Sequence, residues 1–202
     1  MNPRRLRGQT DPRTLCEAPL ALRPVLKFPD PRLRELSQPV GEITDALREL
    51  ARDMCEVMYD EPGIGLAAPQ VGEPVRLIVV DTEWTEEGAE RSPLILVNPV
   101  LSEPEGKVLW KEGCLSVPDF EAEVERAERV LLRARDLEGD EIAIRADGLQ
   151  AVCFQHEIDH LDGKLFIDRI SHLKRSRYVL RRQKQLRREQ EEGGESAGAG
   201  SS

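Results

Sequence analysis

The chain has 202 residues, of which 39% are hydrophobic and 33% charged, and its formal net charge is −9. This length is typical of one compact domain with a hydrophobic core and some polar extension. No apolar run reaches the roughly 18 to 20 residues that cross a bilayer, which excludes an integral membrane protein. Residues 1–30 lack the apolar stretch of a signal peptide and the four cysteines are widely spaced, so we expect a protein of the reducing cytoplasm.

The N-terminal segment, residues 1–20, contains four arginines and three prolines and shows no apolar periodicity. We expect it to be a flexible extension that is not part of the core. Because it is rich in arginine and poor in acidic residues, an organellar transit peptide is the alternative interpretation. The folded domain is expected to begin near residue 21.

One amphipathic helix is predicted in the first half of the chain. From Thr44 onward, apolar residues recur at helical spacing as far as Met58, and Thr44 is a suitable N-cap. The helix is expected to end before Pro62. Short β-like runs follow at 76–81, 94–98 and 108–110.

The second half of the chain combines a predicted hairpin with a buried helix. Two β-like runs, 130–135 and 141–145, flank a turn and are expected to pair. Asp147 and Gln150 have the spacing of a capping box, which predicts the start of a largely buried helix that ends at Gly163. Strands followed by a core helix, without regular β-α alternation, indicate an α+β fold.

A polar, basic helix is predicted over residues 171–191. Eight of the 29 basic residues, and no acidic residue, lie between Lys174 and Arg188. Such a run is typical either of a solvated helix face or of a surface that docks on a polyanion such as RNA. We assign 174–192 to a basic C-terminal helix and predict that 193–202 is a disordered tail, because it has too little apolar content to fold.

The motif HEIDH in the buried helix has the spacing of a metal site. His156 and His160 are four residues apart and project from one helix face, where both can bind a single metal ion. Glu157 lies between them and can take a proton from water beside such an ion. A third protein ligand is required, and the candidates are His172 downstream and Cys114 in the upstream segment EGCLS.

A glycine-containing segment, GIGLAAPQ, precedes these motifs. Its glycines, Gly63 and Gly65, permit close approach of a ligand backbone. Gln70 ends the segment with a neutral amide donor directly after a proline, which stiffens the chain. Taken alone, the segment is also compatible with a plain apolar turn that has a polar end.

In chain order, GIGLAAPQ, EGCLS and HEIDH resemble the three signature motifs of the peptide deformylase family, whose members remove the formyl group from the N-terminal methionine of new bacterial proteins. The resemblance covers residues 25–173, within a domain that we assign to 21–173. It implies mixed or antiparallel sheets around a central metal-binding helix, followed by the basic helix. It also implies a monomer of the bacterial cytoplasm that acts on N-formylmethionyl nascent peptides.

The resemblance further implies a role for each motif residue. The metal ion, natively Fe(II) with Zn, Ni or Co as substitutes, would be bound by Cys114, His156 and His160. Glu157 would be the general acid/base, and Gln70 with the backbone N–H of Leu115 would stabilise an oxyanion. The residues implied to bind the extended peptide and its methionine side chain are Ile64, Gly65, Glu112, Gly113, Leu149, Val152 and Cys153.

The chain departs from the family pattern at one rim of the expected site, and two other functions are compatible with parts of the sequence. Asp119 stands where many members have glycine, and residues 120–125 are unusually acidic, which predicts a different peptide preference at that rim. The resemblance implies that the basic helix docks on the ribosome. A zinc-dependent endopeptidase with another third ligand is the rival enzyme. A ribosome- or RNA-binding protein whose metal is structural is the rival from a different class.

Overall fold

The computed structural model describes residues 23–84 and 89–198, with side chains as far as Glu191. The predicted N-terminal extension, 1–20, and the end of the predicted tail, 199–202, lie outside the described residues. The described helices are α1 (Asp45–Asp60), α2 (Gly148–Leu161) and α3 (His172–Gly198). The strands are β1 (Gly65–Ala67), β2 (Leu77–Val80), β3 (Leu94–Glu105), β4 (Val108–Cys114), β5 (Val117–Arg126), β6 (Arg129–Arg135) and β7 (Glu141–Asp147).

The strands form two antiparallel sheets. A five-stranded sheet has the order β1-β2-β3-β6-β7, and β4 pairs with β5 in a second, two-stranded sheet. β6 and β7 form the predicted hairpin, with Leu132 opposite Ile144. The α+β fold with antiparallel sheets, predicted from the sequence, is confirmed.

The five-stranded sheet is packed between α1 and α2. Successive side chains of a strand point to opposite faces of a sheet. In β2, Leu77 and Val79 belong to the core cluster of α1, whereas Ile78 and Val80 belong to that of α2. All four side chains are fully buried. Because α2 is also buried along most of its length, it is the central helix of the domain.

The predicted starts and ends of α1 and α2 are confirmed. Thr44 Oγ1 accepts a hydrogen bond from Leu47 N (3.3 Å) at the start of α1. Gly163 follows α2 in a left-handed conformation, with φ 67°. Asp147 is the N-cap of α2, as predicted, but its side chain accepts no capping hydrogen bond from the described backbone, so the capping box itself is not formed. Asp147 also ends β7, and Gly148, with φ 51°, turns the chain into the helix.

Two strands, β1 and β5, are additions to the sequence prediction. β1 has only three residues, which is too short for a pattern to emerge. β5 contains the acidic run 120–125, in which exposed glutamates alternate with buried Ala122 and Val124. That alternation is the pattern of a strand with one face packed on the core. The acidic run is therefore a strand whose other face is exposed to solvent.

α3 is longer than predicted and packs against the domain at its start. Its backbone continues past the predicted end at Glu191 to Gly198, so the prediction of a disordered tail is wrong for 193–198. A helix that is already nucleated gains one hydrogen bond for each residue added. Tyr178 is 2% exposed and packs with Val117 and Phe166, so the predicted border after residue 173 does not mark a break in packing.

No helix in the described residues, α3 included, is both long and apolar enough to span a membrane.

Candidate active site

Three predicted metal ligands meet at one point. α2 presents His156 and His160 on one face, and Cys114 reaches them from the end of β4. One ligand atom from each residue lies within 4.8 Å of the others, and Cys114 Sγ is 3.2 Å from His160 Nε2. The other candidate third ligand, His172, lies at the exposed start of α3 and outside this cluster.

The geometry and chemistry of this cluster fit a single metal ion. In a tetrahedral site with ordinary metal–sulfur and metal–nitrogen bonds, the ligand atoms lie about 3.3 to 3.6 Å apart. Burial lowers the pKa of His160 well below its ordinary value, which keeps the imidazole neutral as a ligand must be. Burial has the same tendency at His156, but hydrogen bonds to Cys114 and Glu112 outweigh it and raise the pKa, so a metal displaces a proton there.

Glu112 orients one of the ligands. Its Oε2 lies 2.8 Å from His156 Nδ1. A carboxylate only accepts hydrogen bonds, so His156 donates from Nδ1, which leaves Nε2 as the nitrogen that can bind a metal once its proton is displaced. Burial alone would raise the pKa of Glu112, but hydrogen bonds from Arg126 and His156 reverse this and hold the pKa below its usual value. The Glu112 side chain is therefore committed to positioning His156, and the predicted contact with the peptide belongs to its backbone.

A buried arginine, Arg126, holds this arrangement together. It donates to both oxygens of Glu112, at 2.6 and 2.9 Å, and its Nη1 lies 2.5 Å from Asp159 Oδ2. Arg169 donates to both oxygens of Asp159, each at 2.5 Å. The Arg126 side chain is 1% exposed. Sequence reasoning missed this residue, although its position on the same face of β5 as Ala122 and Val124 would have placed a charge inside the core.

Glu157 is a buried carboxylate poised beside the metal ligands. Its Oε2 makes no hydrogen bond to any of the described residues. Burial raises the pKa of Glu157 from its ordinary value to about 7. Gly65 makes room for it, because a Cβ at that position would lie 2.5 Å from Glu157 Oε1. The glycine of GIGLAAPQ is thus needed for close packing against the carboxylate.

The side-chain amide of Gln70 is oriented towards Cys114. Its Oε1 accepts a hydrogen bond from Ala67 N (2.8 Å), which fixes the orientation of the amide. Its Nε2 is then directed to Ser116 Oγ at 3.1 Å and to Cys114 Sγ at 3.7 Å. Leu115 follows Cys114 directly, and its carbonyl accepts a hydrogen bond from Lys27 Nζ (3.0 Å). A neutral amide donor is therefore held beside Cys114.

These residues surround a cavity of about 770 Å³. Every predicted site residue lines it except His160, which is buried. The motif prediction did not include several other wall residues, among them Lys27, Glu61, Trp110, Pro118, Asp119 and Phe120. The volume suits a short peptide segment or a small molecule.

The model of the polypeptide deformylase family matches residues 22–176. The chain belongs to this family. A peptide deformylase of Alkalilimnicola ehrlichii is 53% identical over 168 residues, which are 83% of this chain and 93% of that protein. One of Rhizobium meliloti is 51% identical over 163 residues, 80% of this chain and 92% of that protein. The crystal structure of a peptide deformylase from Legionella pneumophila superposes with a TM-score of 0.76 at 42% identity, covering 84% of this chain and 98% of the other.

Membership of the polypeptide deformylase family confirms the predicted function. Polypeptide deformylases are hydrolases that remove the formyl group from newly made polypeptides, and this is the activity of the chain. The endopeptidase and the binding protein without an enzymatic activity are therefore set aside. The family match also extends to residue 176, beyond the predicted border at 173 and into α3.

Proposed function

We propose that Glu157 is the general acid/base of the deformylase reaction. The observation that carries this proposal is a buried carboxylate oxygen that no described residue satisfies, on a cavity wall beside three potential metal ligands. A group whose pKa is about 7 can accept and return a proton near neutral pH. Glu157 accepts a proton from the attacking water. It then donates that proton to the nitrogen of the departing amine as the C–N bond breaks, which releases formate and a free N-terminus.

Cys114, His156 and His160 would hold one divalent metal ion, which we propose to be Fe(II), with Zn, Ni or Co as substitutes. One thiolate and two imidazoles are a donor set that suits Fe(II) and Zn, and three protein ligands leave a coordination position open. When bound, such an ion supplies a Lewis acid that lowers the pKa of water and polarises a carbonyl. Glu112 and Arg126 would keep the His156 imidazole oriented for it.

Gln70 and the backbone N–H of Leu115 are proposed to stabilise the oxyanion that forms from the formyl oxygen. The Gln70 amide already points towards Cys114, and the hydrogen bond from Ala67 N prevents the amide from flipping. A donor held in place before the reaction costs no reorganisation when charge develops. Removing one such donor typically lowers the rate by a factor of about 10² to 10³.

The formylmethionyl peptide is proposed to lie extended between Ile64–Gly65 and Glu112–Gly113. β4 pairs with β5 on one side, so its other edge can receive a peptide strand through main-chain hydrogen bonds that depend little on sequence. The backbone at Gly113 on this edge is not crowded, because a Cβ there would lie 3.6 Å from Glu121, which is an ordinary contact distance. The methionine side chain would enter the apolar part of the cavity, which is lined by Ile64, Leu149, Val152 and Cys153.

The test is formate release from a formyl-Met tripeptide by the Fe(II)-loaded chain under anaerobic conditions. Glu157→Gln keeps the size of the side chain and removes its ability to take a proton, so activity should collapse while metal content is unchanged. Glu141→Gln, at an exposed position on β7, is the matched control. A folded, metal-loaded parent without activity would overturn the proposal, as would a fully active Glu157→Gln variant.

We further propose that the chain acts in the bacterial cytoplasm as a monomer and docks on the ribosome through α3. Bacterial relatives and the basic run support this. Replacing exposed basic residues of α3 by glutamine should reduce co-sedimentation with ribosomes at unchanged activity on free peptides, provided that the packed residues stay intact. The residues to replace together are Lys174, Arg177, Lys184, Arg187 and Arg188. Ribosome binding unaffected by all five changes would exclude this surface, and size-exclusion chromatography tests the monomer.

A further inference from the structure

We infer that Tyr178 and Arg181 of α3 are positioning residues that hold the rim of the peptide cavity. This inference rests on the proposed binding of formylmethionyl peptides in that cavity. The rim is the segment Pro118–Phe120 of β5, and all three of its residues line the cavity. α3 is therefore assigned a role in peptide binding, in addition to any role in docking.

The rim lacks the cross-strand support that the rest of the hairpin has. Cα partners change from Glu112–Ala122 to Cys114–Val117, which leaves the intervening residues 118–121 unpaired in the described register. Asp119 also has a φ of 58°, in the left-handed region where a residue with a side chain is disfavoured. Backbone carbonyls without strand partners and a disfavoured backbone conformation both require support from elsewhere.

α3 supplies that support through two side chains. Arg181 Nη2 donates to Asp119 O at 2.6 Å, and Tyr178 Oη donates to Pro118 O at 3.4 Å. The Tyr178 ring stacks on Phe120 with the centroids 4.7 Å apart and the planes at 24°. The Arg181 guanidinium lies 5.9 Å from the centroid of Phe120 and 5.7 Å from that of Tyr178. Each of the three rim residues thus contacts α3.

The opposite side of the rim rests on the metal site. Phe120 stacks on Phe166 at 5.9 Å, and Phe166 stacks on His156 at 6.1 Å. These contacts remain if Arg181 is shortened, so the reacting groups should keep their places while the outer backbone of the rim loosens. The expected effect is therefore on peptide affinity and not on the chemical step.

The experiment compares kcat and KM of three variants of the full, Fe(II)-loaded chain with formyl-Met-Ala-Ser. Arg181→Ala should raise KM about threefold to tenfold at unchanged kcat, because one charge-assisted hydrogen bond at an exposed site is lost. Arg181→Lys, which keeps a donor and a charge, should recover most of the affinity. Arg133→Ala removes the same charge from an exposed position on β6 and should leave both constants unchanged.

A second measurement separates this inference from the proposed reaction. Binding of the product tripeptide Met-Ala-Ser, followed by calorimetry, reports on the rim even if no formate is released. Weaker binding by Arg181→Ala, with Arg133→Ala unaffected, supports the inference. Unchanged KM and unchanged product binding in Arg181→Ala would overturn it. So would a fall in kcat at constant KM, or an equal loss of affinity in Arg133→Ala, which would point to general electrostatics.

Discussion

Replacing Gly65 by alanine should displace the carboxylate of Glu157, the proposed general acid/base, without touching a proposed metal ligand. The added Cβ would lie 2.5 Å from Glu157 Oε1, 2.9 Å from Glu157 Cδ and 2.8 Å from Cys153 Sγ. Ordinary contacts with a Cβ begin near 3.4 Å, so the carboxylate must retreat by roughly 1 Å. The Gly65 backbone itself is compatible with alanine, since its φ lies outside the left-handed region. A displacement of about 1 Å at a reacting group can cost on the order of 10² in rate.

The expected result for Gly65→Ala is therefore a fall in kcat of about 100-fold, with a loss of stability of about 1 to 3 kcal/mol from overpacking. Formate release measures the first, urea unfolding the second, and metal analysis checks that the ligands still bind. Gly41→Ala is the control, because a Cβ there has no atom within 4 Å. A Gly65→Ala protein that binds metal and keeps the parental kcat would refute the role of Glu157, or the close packing on which the argument rests.

Three further predictions concern the surroundings of the metal site. Arg126→Met leaves the Glu112 and Asp159 carboxylates buried without this counter-ion, so urea unfolding should show a loss of about 3 to 5 kcal/mol. Metal affinity should also fall by a factor of about 10 to 100, and parental values for both would contradict the positioning role of Arg126. Gln70→Leu should lower kcat by about 10² to 10³ with metal content retained, and an unchanged kcat would remove Gln70 from the oxyanion site. Chelation of the metal ion should abolish formate release and lower the Tm, because an ion present at 100 times its Kd stabilises the fold by about 2.7 kcal/mol. A Tm that does not change on chelation would show that the ion does not bind.

The two histidines of the proposed metal site could be predicted because their signal is local. His156 and His160 owe their shared face to helical spacing alone. Cys114 was one of two candidates for the third ligand, and the resemblance of EGCLS to a family motif selected it. The missing side-chain cap of α2 was harder to predict, since Asp147 belongs to the end of a strand as well as to the cap position of a helix. There the pairing of β7 with β6 decides the backbone conformation, and no local pattern reports it.

The support of the site could not be predicted, because it depends on contacts between distant parts of the chain. Arg126 lies on a strand whose pairing was not foreseen, and its partners come from β4 and α2. Tyr178, Phe120 and Phe166 form one stack but lie on three separate elements. Composition and spacing described α3 as a basic helix, yet the packing of Tyr178 depends on where β5 runs.

The buried charge network also sets when, during its own synthesis, the enzyme can mature. Glu112, Arg126 and Asp159 come from three elements, and Arg169 completes the network beyond α2. A growing chain releases its residues in order, so His156 cannot be fixed by Glu112 and Arg126 until almost the whole domain has emerged. Binding of a metal ion at Cys114, His156 and His160 would therefore follow tertiary folding, unlike the case of a zinc finger that a metal folds locally. A protein that processes other nascent chains must itself be nearly complete before it can act.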